Sequence, residues 1–161
     1  MRALVSRVLP LLAVALLIVN DHVLKHQFPG FVTGKLSDFA GLFFFPLLLV
    51  DALGRLHGRR SLNMLVGACI ATAVVFAAVK TWGPAHEMYC VGLGALQWPF
   101  RALVASLVSA PLPALARVRL TMDVTDLVGL VSVAAAFRYA LRYGGVPRRP
   151  RSGDFTTAGS Y

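Results

Sequence analysis

Residues 20–46 read NDHVLKHQFPGFVTGKLSDFAGLFFFP. This stretch decides the fold class because it is a polar interruption between two apolar blocks. Asp21, Lys25, Lys35 and Asp38 stand at the mouths of those blocks. Phe28-Pro29-Gly30 and Thr33-Gly34 carry turn chemistry. Ser37 or Thr33 can cap the helix that follows, with Asp38 favourable in its first turn. Chain of this kind turns at a membrane surface and goes back in.

The rest of the sequence supports that reading. Of 161 residues, 57% are hydrophobic and only 14% charged, and the mean hydropathy is +0.70. A soluble domain of this length needs more polar surface. The apolar residues come in blocks of membrane-spanning length rather than in amphipathic stripes. The expected fold is an all-α integral membrane helical bundle. It has four transmembrane helices and a Pro-broken re-entrant or interfacial segment.

Working outward, the preceding block gives a first span over about 4–19, retained as a signal anchor. No small-x-small cleavage site precedes Asn20-Asp21. Pro10 is expected to kink it, and Asn20-Asp21-His22 marks its arrival at water. Asp21 and Lys25 are four apart, so a continued helix would pair them. The second span is expected over about 36–53, kinked at Pro46, with Asp51 paired to Arg55 one turn on. The third covers about 62–79, with small residues Gly67, Ala68, Ala71 and Ala73 for close helix contact. Lys80 closes it. The last span, about 124–140, opens with Asp123 and Asp126. Residues 84–119 are ambiguous. Trp82, Tyr89 and Trp98 suit an interfacial belt, while Pro111 and Pro113 interrupt the apolar stretch 102–116. Residues 1–143 thus form the helical membrane domain. Residues 144–161 form a basic tail whose Pro-, Gly-, Ser- and Thr-rich composition predicts disorder.

Basic residues choose the topology. Four crossings put ten Lys and Arg inside, among them Arg2, Arg7, Arg55, Arg59 and Arg60, and six outside. Five crossings give seven inside and nine outside. The positive-inside rule therefore favours four crossings in an inner (cell) membrane, with both termini cytoplasmic. The net charge of +9 is explained in the same way, and no nucleic-acid partner is expected. Cys69 and Cys90 make neither a metal pattern nor a disulfide at matched depth.

The four-crossing topology brings Asp21, Lys25, Lys35, Asp38, Lys80, Asp123 and Asp126 to one outer rim. Charges near hydrocarbon are costly unless paired, which marks them as functional candidates. Asp123 and Asp126, three apart, repel unless a cation such as Lys80 or Lys35 is shared. Thr33-Gly34-Lys35 matches the end of a phosphate loop but lacks its glycines and strand. The start of the second span nevertheless offers free N–H groups beside Lys35, which suits an anionic headgroup. The candidate ligand-binding set is Lys35, Ser37, Asp38, Lys80, Asp123 and Asp126, supported by Asp21 and Lys25. No catalytic residue, metal site or cofactor is assigned.

The block Gly34-Lys35-Leu36-Ser37-Asp38-Phe39-Ala40-Gly41-Leu42 resembles one found in small polytopic bacterial membrane proteins. More distantly, the layout is similar to VanZ-like proteins, with Ser37-Asp38 opening the second span and Asp123 to Gly129 opening the last. Gly41 and Leu42 stand where that pattern has a His, and Leu127 to Gly129 lack its Asn. The resemblance implies a cell-envelope role and no particular reaction. The expected function is binding of a lipid-linked or anionic envelope component at the outer face. The alternatives are a small ion-coupled transporter and a non-catalytic subunit packed on a membrane partner or a second copy.

Overall fold

The computed structural model describes residues 3–24, 27 and 30–145, without the side chains of residues 21, 22 and 31. Lys25, the Asp21 side chain and tail residues 146–161 therefore lie outside the described residues. So do the expected Asp21–Lys25 pair and the tail's expected disorder. Among the described residues the chain is helical, with no strand. The α-helices are α1 (Val8–Val19), α2 (Phe31–Leu56), α3 (Leu62–Thr81), α4 (Gly83–Leu107) and α5 (Val131–Tyr143). A π-helical turn, Asn20–Leu24, continues α1, and a 3-10 turn, Val124–Leu130, leads into α5.

Four stretches are long and apolar enough to cross a membrane: Val32–Leu56, Leu62–Thr81, Gly83–Leu107 and Val124–Tyr143. Val8–Val19 is a shorter apolar helix. Each long stretch reaches the ~20 residues that a hydrocarbon core requires. The chain is a multi-pass helical membrane protein.

Several expected boundaries move. Pro10 is the third residue of α1, where its missing N–H would have had no intrahelical partner, so it starts the helix rather than kinking it. α2 begins five residues earlier than the expected 36, at Phe31, and runs through Pro46. Its start is closed by Thr33, whose hydroxyl donates to the Gly30 carbonyl at 2.9 Å and accepts from the Gly30 N–H at 3.2 Å. Pro111 and Pro113 do not break a helix, because α4 has already ended at Leu107. Its end is a Schellman motif. Ser109 adopts a left-handed φ of 53°, its N–H reaches the Ser106 carbonyl, and the Ala110 N–H reaches that of Ala105. Cys90 is buried within α4.

The chain divides into two compact units, Met1–Thr72 with Gly129–Tyr161, and Ala73–Val128. In the first, α2 packs against both α1 and α5. Its core holds Leu4, Leu47, Val50 and Leu65 together with Ala136 and Ala140. The two alanines are four apart on α5, and small residues at that spacing let helix backbones approach closely. Phe43 meets Tyr139 edge-on at 5.7 Å, and the guanidiniums of Arg7 and Arg142 lie over the Tyr143 ring.

A buried ion pair ties this unit together. Asp51 does not pair with Arg55, which is exposed. It meets Arg60 at 2.5 Å, and its other oxygen accepts the Val5 N–H at 2.9 Å. Arg60 also donates to the Gly144 carbonyl at 3.1 Å. The Arg60 stem crosses α2 at Gly54, where a Cβ would come within 2.8 Å of its Cγ. Glycine there makes the crossing geometrically feasible.

In the second unit the chain beyond α4 folds back along it. The Trp98 indole N–H donates to the Pro113 carbonyl at 2.9 Å. Gly94 lies against Ala116, where an added Cβ would strike the carbonyl oxygen. The Val118 N–H reaches the Cys90 carbonyl at 3.0 Å. As the return segment advances through 113, 116 and 118, the helix positions it meets step down through 98, 94 and 90. The segment therefore runs antiparallel to α4, with no regular structure of its own.

Candidate functional site

The site is best built from Lys80, in the last turn of α3. Along that helix Leu65, Ala68, Cys69 and Thr72 recur at steps of three and four and form a buried stripe, which Val79 and Lys80 continue. Helical periodicity thus carries the Lys80 stem inward. Its ammonium sits 5.5 Å from the centre of the Phe76 ring, one turn back, as a cation–π partner. It meets the Asp126 carboxylate at 2.6 Å. The two side chains are 4% and 11% exposed, respectively. A cation and an anion are thus held together out of water, where each alone would be strongly disfavoured.

Asp126 is aimed by a local turn. Asp123 Oδ1 accepts both the Thr125 N–H, at 2.8 Å, and the Thr125 hydroxyl, at 2.7 Å. The Asp126 N–H then bonds the Asp123 carbonyl. This is the local side-chain-to-backbone bonding that favours Asp at the start of a helical turn. The two carboxylates expected to share a cation have separate tasks, in which Asp123 shapes the turn and Asp126 meets Lys80.

His86, in the first turn of α4, reaches back to the Val79 carbonyl at 3.2 Å. A carbonyl only accepts, so Nδ1 donates there, and Nε2 lies 3.6 Å from the Cys90 sulfur. Val79 lies within the last four residues of α3, where carbonyls have no intrahelical donor. His86 therefore staples the end of α3 rather than dangling in a loop. Glu87 and Arg117 pair at 2.7 Å on the exposed surface.

The remaining candidates belong to the first unit. Asn20, read from sequence as arrival at water, is fully buried. Its amide donates to the Thr33 carbonyl and to the Ser37 hydroxyl, each at 2.6 Å. Ser37 thus helps to lock the π-turn onto α2. Sequence reasoning missed Asn20. The readable signal was the four-residue spacing of Thr33 and Ser37, which puts two polar groups on one face of a helix facing the end of an apolar run. Lys35 and Asp38 are half-buried. Asp38 and Leu42 form the wall against which Gly129 lies, with Leu42 Cδ1 at 3.1 Å and Asp38 Cβ at 3.7 Å from where a Cβ would stand.

The structure therefore joins Lys80 with Asp126 and its Asp123 turn in one unit, and places Ser37, Lys35 and Asp38 on α2 in the other. Among the described residues no group of three or more His, Cys, Asp or Glu could hold a metal ion. Both cysteines are free thiols. Comparison with protein-family models, with curated proteins and with solved structures gave no match.

Proposed function

We propose that this chain is a multi-pass protein of a bacterial cell membrane that holds a lipid-linked or anionic envelope component at its outer face. In this reading both termini are cytoplasmic, as the distribution of Lys and Arg favours. The observation that carries the reading is the desolvated Lys80–Asp126 pair, 2.6 Å apart at the end of one apolar helix and the start of another. Replacing a buried pair by apolar residues is often neutral or stabilising, so such a pair is weak as a stability device. Ionisable groups retained at a membrane-embedded position are functional candidates by default.

In the unliganded protein Asp126 stands in for the anion. A phosphate or carboxylate headgroup arriving at the interface competes with Asp126 for the Lys80 ammonium. The Asp123–Thr125 turn lets Asp126 withdraw without dismantling α5. Packing of Gly129 against Asp38 and Leu42 adds support, since the two blocks that resemble VanZ-like proteins meet there. The reading assigns no reaction.

The test compares thermal unfolding in detergent with added phosphatidylglycerol or phosphatidylcholine. Wild type is expected to gain several degrees from the anionic lipid, through preferential binding to the folded form. The double variant Lys80→Met/Asp126→Leu is expected to fold and to gain clearly less from the anionic lipid than wild type does. A wild type indifferent to headgroup charge, or a double variant that gains as much as wild type, would overturn the reading.

A further inference from the structure

Lys80 and Asp126 touch, so the chain leaves α3 and re-enters at Val124–Leu130 at one membrane depth. Everything between them must cross the bilayer an even number of times. If α4 crosses, residues 108–123 must cross back. Those 16 residues contain no helix or strand. Over 111–122 the main chain takes two of the observed hydrogen bonds, the Val118 N–H to Cys90 and the Pro113 carbonyl from Trp98. Leu112 and Leu115 are 68% and 62% exposed. Irregular backbone exposed in this way has no place in hydrocarbon, where each unmet N–H or C=O is heavily penalised.

Register sharpens the point. The return segment lies beside residues 90–98, and the centre of Gly83–Leu107 is residue 95. A spanning α4 would put the unpaired backbone at mid-bilayer. Length and composition alone admit α4 as a span, although it is the least apolar of the four.

We propose instead that α4 and the segment folded back on it form an interfacial hairpin whose partner is the bilayer surface. The face of α4 opposite Cys90 and Gly94 carries Met88, Leu96, Phe100, Leu103 and Leu107, all exposed, and this face turns to the acyl chains. The return segment lies on the other side, where water meets its amides. Arg101, Arg117 and Arg119 against Glu87 give this layer a cationic excess, which suits anionic headgroups. Trp82, Tyr89 and Trp98 fall at the level that amphipathic rings prefer. The inference does not depend on the proposed ligand.

The chain supplies its own probe, because its two tryptophans, Trp82 and Trp98, both lie here. They are 16 residues apart, about 24 Å along a helix axis. In a Trp82→Phe variant reconstituted in phosphatidylglycerol-containing vesicles, only Trp98 emits. Its emission is expected to be quenched more strongly by lipids brominated near the headgroup than by lipids brominated deep in the acyl chain. The Trp98→Phe variant, reporting Trp82, is expected to show the same order. Stronger quenching of Trp98 by the deep label would overturn the proposal in favour of a span or a deep re-entrant loop. Absence of quenching by either label would overturn it in favour of a hairpin standing off the membrane.

Discussion

The two buried ion pairs differ in what surrounds them. Asp51–Arg60 is held by main chain, with the Val5 N–H on one oxygen of Asp51 and the Gly144 carbonyl on Arg60. It stitches together the chain before α1, the end of α2, the α2–α3 loop and the end of α5. Lys80–Asp126 is set among side chains, with Phe76 under the ammonium and the Asp123–Thr125 turn behind the carboxylate. The first pair satisfies backbone groups that would otherwise be buried without partners. The second sets a cation against an anion and an aromatic ring. The two pairs should therefore respond differently to apolar replacement.

That contrast is open to test, and the largest effect is expected at the first pair. Asp51→Ala leaves the Arg60 guanidinium and the Val5 N–H without their anion and should cost about 3–5 kcal/mol. Thermal unfolding in detergent and membrane abundance would both register the loss. Lys80→Ala removes the cation that Asp126 meets at 2.6 Å and should also destabilise, though by less.

The double variants should separate the pairs. Lys80→Met/Asp126→Leu should recover most of the stability lost in Lys80→Ala. Asp51→Leu/Arg60→Met should not recover, because Val5 and Gly144 lose their partners, at about 1–3 kcal/mol per unmet buried group. Equal recovery in both doubles would erase the distinction drawn here.

Smaller effects are expected in the hairpin. Gly94→Ala drives a Cβ into the Ala116 carbonyl and should displace the return segment at about 1–3 kcal/mol. Protease cleavage within residues 111–118 should become faster. Ser109→Gly removes the strain of a left-handed residue at the end of α4 and should stabilise by about 1 kcal/mol, seen as a small rise in unfolding temperature.

Much of the fold was legible because it rests on apolar blocks. The helices at 31–56, 62–81 and 124–143 follow from continuous hydrophobicity bounded by Gly, Pro and charge, and their ends moved by a few residues. The start of α2 was misplaced because the closure at Thr33 depends on Gly30 backbone geometry, which no residue pattern specifies. For residues 83–107 Pro111 and Pro113 are the breaks legible in the sequence, whereas the helix ends before them, with Ser109 in a conformation that Ser rarely adopts. The candidate site was partly legible. Lys80 and Asp126 were named because each borders a long apolar run, and that placement buries them. Their pairing spans 46 residues of sequence, so only the topology could suggest it. Asp51 went to the wrong arginine because the four-residue helical rule favours Arg55, while Gly54 opened a route for Arg60. Asn20 was missed because a polar residue at a helix end looks wet until Thr33 and Ser37 are seen to face it.

The most direct test of the central claim, that Lys80 and Asp126 mark a single membrane face with no crossing between them, is sided labelling at two positions. Thr81→Cys and Ala110→Cys, both at exposed positions and in a chain with Cys69 and Cys90 replaced by Ala, would be exposed to a membrane-impermeant maleimide in intact cells and in inverted vesicles. The account predicts that both cysteines react from the same side. Reaction of Ala110→Cys from the side opposite to Thr81→Cys would contradict it.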